Sequence, residues 1–332
     1  MKITPQDIVG LVGILPTPAT PNADRWESVD TVNLAESERM TRMVVEAGTD
    51  IIMTTGTFGE CATLTARELR DFVGCVAETV ARRKLVFAGV TTLNTRDTIE
   101  RGRAVLDAGA DGLFVGRPMW LALDDKLLVR FYRDVAEALS GVPLIVYDNP
   151  VAFKGKISQA AYRELAAIPE IVSAKHVGGP ALEADLHVVG EQCRLLPMAG
   201  DWLSAAQAHP DTCVAAWSGA IACAPDALVA LATAIKERNW TRAKEISDKC
   251  RWAEIAMFAG GDLAAFMDYS IAIAHWRVRA AGLVNPGPSR PPYLDSELPD
   301  NYKAGAIECG KRWAQLQKEY GQERVGPEGV SV

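Results

Sequence analysis

Lys175 ends an apolar segment that is typical of a buried strand. In EIVSAKHVGG (170–179) the lysine follows Ile171–Ala174 directly, with no turn residue to carry it to solvent, and Gly178 and Gly179 come soon after. A lysine in a pocket that excludes water has its charged form disfavoured, so its free amine can condense with a ketone. A lone strand-end lysine is more often a solvated charge, so further groups are needed to support this chemistry.

Two other segments supply such groups. Tyr147 precedes Asp148 and Asn149 at the end of the apolar segment LIVYDNP, and a tyrosine beside the lysine can move protons to and from a carbinolamine. The glycine-containing segment TTGTFGE (54–60) offers hydroxyls and backbone N–H groups that can hold a carboxylate. Together these are the parts of a class I, Schiff-base aldolase that acts on a 2-keto acid.

The elements that would position these groups recur along the chain. Eight short apolar segments lie at residues 10–18, 51–56, 86–92, 112–120, 144–150, 171–177, 193–200 and 213–220. Most are separated by segments of helical periodicity, such as residues 65–83. Alternating strands and helices imply parallel pairing, and eight such units predict a (β/α)8 TIM barrel. A doubly wound open sheet is the alternative, but no G-x-G-x-x-G follows the first strand.

Active sites of such barrels lie at the C-terminal ends of the strands, here called the barrel mouth. Lys175 and Tyr147 end neighbouring strands, so both side chains are expected to point into this mouth. Other candidate binding residues lie at or just after the ends of apolar segments: Gly56, Thr57, Asn149, Trp217, Ser218 and Gly219.

After the eighth strand the pattern changes to helices alone. The sequence therefore predicts a barrel with the Schiff-base site over residues 1–238 and a C-terminal helical region over residues 239–332.

Composition excludes several function classes. The 332 residues carry a net charge of −7 with scattered basic residues, which argues against a nucleic-acid partner. The N-terminal segment MKITPQDIVGLVGILPTP fits neither a secretory signal nor a spanning helix, so no membrane and a cytoplasmic location are expected. The seven cysteines and four histidines show no metal-binding spacing, so no metal is expected. Schiff-base chemistry on Lys175 also requires no cofactor.

Three of these motifs resemble a known superfamily, that of dihydrodipicolinate synthase and N-acetylneuraminate lyase. GTFGECATLT resembles its G-T-T-G-E signature, VYDNP its Y-x-x-P motif, and VSAKHVGG its Schiff-base lysine strand. The likeness extends from residue 10 to about residue 290.

Within it, the chain is most similar to the hydratase-aldolases that cleave substituted benzylidenepyruvates. LPTPATP, PMW, AFK and RPPY carry this likeness, and Phe58 and Trp120 replace polar residues of the synthases. Ala152 and Phe153 stand where the synthases place an arginine.

The resemblance implies that an aryl 2-keto acid and water give an aromatic aldehyde and pyruvate through an imine on Lys175. Tyr147 would be the proton shuttle, Gly56 and Thr57 would hold the carboxylate, and Asn149 would position either water or the hydroxyl. Phe58, Trp120 and Trp217 would line the aryl pocket. A homotetramer is also implied.

Arg117, three residues before Trp120, favours an ortho-carboxylate on the ring, because arginine binds carboxylates through paired hydrogen bonds. The predicted substrate is therefore trans-2'-carboxybenzalpyruvate, giving 2-carboxybenzaldehyde. The alternatives are an ortho-hydroxyl substrate giving salicylaldehyde, another pyruvate-dependent lyase or synthase of the superfamily, a metal-dependent aldolase, and a barrel that only binds ligands.

Overall fold

A computed structural model of the chain describes residues 2–258 and 263–325. Eight strands lie within the eight predicted segments, apart from one residue at the start of β3, and the predicted (β/α)8 barrel is confirmed. The strands are β1 (Gly10–Ile14), β2 (Ile51–Thr54), β3 (Leu85–Gly89), β4 (Gly112–Gly116), β5 (Leu144–Tyr147), β6 (Ile171–Lys175), β7 (Arg194–Leu196) and β8 (Ala215–Ser218).

The strands form one parallel sheet that curls round on itself. Its order is β7-β6-β5-β4-β3-β2-β1-β8, so β1 pairs with both β2 and β8. A parallel bridge between Met198 and Trp217 joins the remaining edge just after β7. The strands therefore nearly close a barrel, and their C-terminal ends share one mouth.

Helices alternate with the strands and cover the outside of the sheet. They are α1 (Leu34–Ala47), α2 (Ala66–Val80), α3 (Thr95–Asp107), α4 (Asp125–Ala138), α5 (Gln159–Ala166), α6 (Leu182–Val189), α7 (Ala199–Ala208) and α8 (Pro225–Lys236). In α2, Thr65 and Glu68 form a capping box, which satisfies free N–H groups at the helix start. Its predicted apolar stripe is buried against the sheet: Leu69, Phe72, Val73, Val76 and Val80.

Four more helices follow the barrel: α9 (Trp240–Ile255), α10 (Leu263–Asp268), α11 (Ser270–Ala281) and α12 (Asp300–Val325). The predicted boundary after residue 238 falls between α8 and α9, and it stays a prediction. In the part of the chain that the structure describes, no helix is long and apolar enough to cross a membrane.

Buried side chains form an inner and an outer layer, because alternate residues of a strand point to opposite faces. In β5, Ile145 and Tyr147 belong to the cluster inside the barrel, whereas Leu144 and Val146 pack between the sheet and the helices. This alternation determines which strand-end residues reach the barrel mouth.

Candidate active site at the barrel mouth

An irregularity in strand pairing brings Lys175 beside Tyr147. Leu144 pairs with Ile171, but the next pair is Ile145 with Ser173, so β6 contains one extra residue. Tyr147 therefore pairs with Lys175 rather than with Ala174. Because a shift of one residue reverses the face of every side chain, this bulge places Lys175 on the inner face with Tyr147.

Lys175 is almost completely buried, with 6% of its surface exposed. Its Nζ lies 3.5 Å from the centre of the Trp217 ring and 4.7 Å from that of the Tyr147 ring. Burial lowers the pKa of Lys175 from 10.5 to about 7, although the carboxylate of Asp148 acts in the opposite direction. At neutral pH a large fraction of this side chain is therefore free amine, the form that attacks a carbonyl carbon.

The Tyr147 hydroxyl is held by two neighbours. It lies 2.8 Å from Thr57 Oγ1 and accepts a hydrogen bond of 3.3 Å from Asn149 Nδ2. Burial raises the pKa of Tyr147, and the contacts with Thr57 and Asn149 only partly offset this rise. The hydroxyl is thus protonated at neutral pH, next to the amine and fixed in direction, as a proton shuttle requires.

The loop that carries Gly56 and Thr57 is fixed by close packing. A Cβ added to Gly59 would lie 2.6 Å from the backbone nitrogen of Thr55, so only glycine fits there. Thr55 has a left-handed φ of 47° and its hydroxyl donates to the Gly89 carbonyl at 2.9 Å. The turn therefore presents Gly56 and Thr57 in one conformation.

A buried charge cluster ties this loop to the RPPY segment. Glu60 is fully buried, and its Oε1 lies 2.9 Å from His275 Nε2 and 2.5 Å from Arg290 Nη1. Burial alone would raise the pKa of Glu60, but His275 and Arg290 outweigh it and the pKa lies below its usual value. Glu60 is therefore ionised and anchors the end of the TTGTFGE segment.

A cavity of about 140 Å³ opens at this mouth and reaches Lys175. Its polar lining residues are Thr57, Tyr147, Asn149, Lys175 and Glu254. The rest of the lining is apolar apart from the Gly56 backbone: Ile14, Phe58, Phe114, Pro150, Val177, Met198, Trp217, Met257, Phe258, Phe266 and Met267. Thr57, Asn149 and Lys175 cluster around Tyr147, and most of the other lining is apolar. This arrangement suits a molecule with a keto acid at one end and a ring at the other.

The structure thus brings seven of the predicted residues to one cavity: Gly56, Thr57, Phe58, Tyr147, Asn149, Lys175 and Trp217. The Trp217 indole N–H donates to the His176 carbonyl at 2.9 Å, which fixes the ring under Lys175. Ser218 and Gly219 lie outside the lining. Gly219 instead makes room for Phe58, because a Cβ there would lie 2.7 Å from the Phe58 ring.

Arg117 does not line this cavity, so the geometry does not support its predicted contact with a ring carboxylate. The side chain is 3% exposed, donates to the Gly155 carbonyl, and lies 3.7 Å from Asp148 Oδ1. Gly116 pairs with Tyr147 and so faces inward, which turns the next residue outward. His176 also faces outward, where its Nε2 lies 2.9 Å from Asp185.

Trp120 does not line the cavity either. It is 73% exposed on the loop between β4 and α4, beside Leu121, which is 72% exposed. The Trp120 carbonyl accepts a hydrogen bond of 2.8 Å from Lys154 Nζ. The geometry of a single chain therefore does not support the prediction that Trp120 lines the aryl pocket.

Sequence reasoning missed the part of the lining that comes from the C-terminal helical region. Glu254, Met257, Phe258, Phe266 and Met267 all lie beyond residue 238. Nothing in their spacing separates cavity residues from core residues, whereas Phe114 could have been found from its inward position in β4. The cavity therefore draws on both predicted regions of the chain.

A second, larger cleft of about 1030 Å³ adjoins the cavity and shares Gly56, Thr57, Tyr147 and Met267 with it. Thr57 and Tyr147 therefore line both spaces, whereas Lys175 lines the smaller one. Across residues 2–258 and 263–325, no three His, Cys, Asp or Glu side chains are grouped so as to hold a metal ion.

Comparison with known proteins agrees with this geometry. Residues 11–299 match the model of the dihydrodipicolinate synthetase family. The chain is 48% identical to the trans-2'-carboxybenzalpyruvate hydratase-aldolase of Nocardioides sp. (strain KP7), with 96% of each chain covered. It is 40% identical to the trans-O-hydroxybenzylidenepyruvate hydratase-aldolase of Pseudomonas putida, over 96% of this chain and 97% of that one.

Solved structures show the same likeness. A structure described as PhdJ bound to substrate intermediate superposes with a TM-score of 0.94 at 49% identity, covering 96% of this chain and 99% of that one. A dihydrodipicolinate synthase from Agrobacterium tumefaciens gives a TM-score of 0.76 at 21% identity, covering 93% and 99%, which indicates a shared fold.

Proposed function

The chain belongs to the dihydrodipicolinate synthetase family, and from that premise we propose that it is a hydratase-aldolase of benzylidenepyruvates. The reaction converts an ortho-substituted trans-benzylidenepyruvate and water into an aromatic aldehyde and pyruvate. The observation that carries the proposal is the buried Lys175 amine beside Tyr147, in a cavity whose remaining lining is mostly apolar.

The first step forms the imine. The Lys175 amine attacks the ketone carbon of the substrate, and the carbinolamine then loses water. Tyr147 gives a proton to the departing hydroxyl, since the raised pKa of Tyr147 keeps its hydroxyl protonated. Thr57, 2.8 Å from the same hydroxyl, is placed to relay that proton and to contact the pyruvyl carboxylate together with the Gly56 turn.

Hydration and cleavage follow on the conjugated iminium. Water adds to the benzylic carbon and loses a proton, while the neighbouring carbon gains one. Removal of the new hydroxyl proton then breaks the bond between these two carbons and releases the aldehyde, with the electron pair held in the enamine of pyruvate. Protonation and hydrolysis release pyruvate and regenerate Lys175.

Asn149 is proposed to position the attacking water. Its Nδ2 donates to Tyr147, and its Oδ1 accepts from the Ala152 backbone at 3.2 Å, so the amide is oriented at the cavity wall. No cofactor is required by this chemistry, because the iminium itself accepts the electron pair.

The favoured substrate is trans-2'-carboxybenzalpyruvate. Support comes from the relatives, since the identity to the 2'-carboxy enzyme is 48%, against 36% to 40% for the hydroxy enzymes. The ortho-hydroxyl substrate, which gives salicylaldehyde, and another pyruvate-dependent reaction of the superfamily are the alternatives. Arg117, which faces Asp148, gives no support to either ring substituent.

We also propose that the enzyme acts in the cytoplasm as a homotetramer. Trp120 and Leu121 form an exposed apolar pair on the loop after β4, and such a patch is typical of a protein interface. Light scattering at working concentration tests this: a monomer would contradict it.

The direct test of the proposed function is reduction with borohydride in the presence of pyruvate, followed by intact mass. The native protein should gain one reduced pyruvyl group, and Lys175→Ala should gain none and release no aldehyde. An adduct that persists in Lys175→Ala would move the imine to another lysine, with Lys154 the nearest in sequence. Activity lost on chelation would favour a metal-dependent aldolase, and a native protein without adduct would favour a binding role.

A further inference from the structure

His176 is a fully buried histidine that the proposed reaction does not use. It follows Lys175 directly and lies on the outer face of β6. Its Nδ1 accepts a hydrogen bond of 2.9 Å from the Gly178 backbone N–H, and its Nε2 lies 2.9 Å from Asp185 Oδ2. Because Nδ1 accepts, the ring proton is on Nε2, which donates to Asp185. Both ring nitrogens are therefore used by the neutral form of the ring.

A carboxylate from the next helix holds this ring in place. Asp185 is buried in α6, and its Oδ2 also accepts a hydrogen bond of 2.9 Å from Lys156 Nζ, in the loop after β5. The loop after β5, the end of β6 and α6 therefore meet at one carboxylate. Lys156, His176 and Asp185 are here called the outer-face triad.

The charges around His176 favour its neutral form. Burial lowers the pKa of His176, Asp185 and Asp148 oppose this effect, and Lys156 adds to it. Tyr162 of α5 faces the ring with 6.1 Å between the ring centres, and burial raises the pKa of Tyr162, so it adds no charge. A second ring proton would lie on Nδ1 and would oppose the backbone N–H that this nitrogen accepts.

The hydrogen bond from Gly178 closes the turn by which the chain leaves β6. Gly178 and Gly179 have left-handed φ angles of 78° and 74°, which residues with side chains rarely adopt. A Cβ on Gly178 would overlap the carboxylate of Asp201. Because glycine has no side chain to pack, this turn depends on the bond to His176 for a single conformation.

The same short segment carries the groups around the reacting amine. Lys175 precedes His176, and Val177 after it lines the cavity. The His176 carbonyl accepts a hydrogen bond of 2.9 Å from Trp217 Nε1, and the centre of the Trp217 ring lies 3.5 Å from Lys175 Nζ. A change of backbone conformation at residue 176 would therefore move the amine, its aromatic neighbour and the cavity wall together.

We propose that His176 is a positioning residue for the aldolase reaction: held by the outer-face triad, it fixes the turn after β6 and, through that turn, the direction in which the Lys175 amine meets the ketone. His176 does not contact the substrate, because it faces away from the cavity. The proposal rests on the proposed function, since His176 acts through the imine on Lys175.

Two amide variants separate the two contacts of the ring. In His176→Asn, the amide oxygen can take the place of Nδ1 and accept from Gly178, but the side chain does not reach Asp185. In His176→Gln, the amide nitrogen can take the place of Nε2 and donate to Asp185, but no acceptor faces Gly178. His187→Gln, at an exposed histidine of α6, is the matched control.

The measurement separates positioning from folding. The rate of imine formation at saturating pyruvate, from rapid quench into borohydride, reports how the amine is presented, and the final yield by intact mass counts the folded sites. His176→Gln should react about tenfold more slowly than native protein, with the final yield and the half-saturating pyruvate concentration within about twofold. His176→Asn should recover most of the rate, and His187→Gln should match native protein.

Three results would overturn the positioning role while the proposed function stands. The first is a native rate in both His176 variants. The second is a lower final yield with an unchanged rate per trapped site, since His176 would then only stabilise the fold. The third is equal slowing in both variants, because the contact with Gly178 would then not be the one that matters. A native protein that traps no pyruvate would overturn the proposed function and the positioning role with it.

Discussion

The ionisation of Lys175 should determine how the rate of imine formation falls at acidic pH. The amine fraction falls tenfold for each pH unit below the pKa, so an ordinary lysine is about one part in three thousand amine at pH 7. With its pKa lowered from 10.5 to about 7, Lys175 is about half amine at that pH. The rate of imine formation should therefore level off above about pH 7 and lie about a hundredfold lower at pH 5.

The substitution Asp148→Asn tests how far a neighbouring charge controls the pKa of Lys175. The rings of Tyr147 and Trp217 contact the Lys175 ammonium and carry no negative charge. Asp148 follows β5 directly, points away from the cavity, and is the carboxylate that stabilises the charged form of Lys175. Asp148 Oδ2 accepts a hydrogen bond of 3.0 Å from Tyr162, which Asp148→Asn can keep through its amide oxygen. Loss of the negative charge removes support for the ammonium, so the pKa of Lys175 should fall further.

Rapid-quench trapping of the pyruvate imine with cyanoborohydride between pH 5 and 9 measures both effects. In the native protein, the midpoint of the plot of imine-formation rate against pH should lie near pH 7. The midpoint for Asp148→Asn should lie at a lower pH. Asp134→Asn, at a surface carboxylate of α4 paired with Arg130, is the matched control and should leave the midpoint unchanged. A native midpoint near that of a free lysine would refute the burial argument, and an unchanged or higher midpoint in Asp148→Asn would refute the part given to its charge.

Four further results are expected. Tyr147→Phe should slow single-turnover aldehyde release about a hundredfold, and unchanged kinetics would exclude it as the shuttle. Lys175→Met should stabilise the protein by up to about 5 kcal/mol in urea unfolding below pH 7, because it removes the cost of burying the ammonium. This gain should fade as pH rises to about 10.5, and a loss of stability would contradict the argument. Arg290→Met removes the guanidinium that pairs with the buried Glu60 carboxylate and should cost about 3–5 kcal/mol, whereas an unchanged urea midpoint would show the pair to be neutral. Glu254→Gln removes a carboxylate from the cavity lining, so kcat/KM for the 2'-carboxy substrate should rise relative to the hydroxy one, and a fall in that ratio would show that Glu254 does not repel the ring substituent.

The barrel and the reactive pair could be predicted because both depend on local pattern. Eight apolar segments separated by helical periodicity leave few alternatives to parallel pairing, and the stripe of α2 is buried as its spacing predicts. Lys175 and Tyr147 end adjacent strands, so one barrel mouth receives both.

The placement of Arg117 was missed for a reason that the sequence contains. β4 ends at Gly116, which pairs with Tyr147 on the inner face, so strict alternation turns Arg117 outward toward Asp148. A charged residue that is close in sequence to a predicted site is weak evidence for ligand binding unless the face of the strand on which it lies is also predicted. The cavity residues beyond residue 238 gave no such signal, because buried Met257 and Phe266 look in sequence like any other core residues.

The bulge in β6 shows why residue identity alone could not decide the site. Without the extra residue after Ile171, Tyr147 would pair with Ala174, and Lys175 would share the outer face with Asp148. On that face a lysine would meet a carboxylate and keep its proton, and the site would lose its amine. The bulge instead separates the two charges across the strand, so burial lowers the pKa of Lys175 while Asp148 limits the fall. The reactivity of Lys175 therefore depends on strand register, which is set by pairing that no single segment of the sequence specifies.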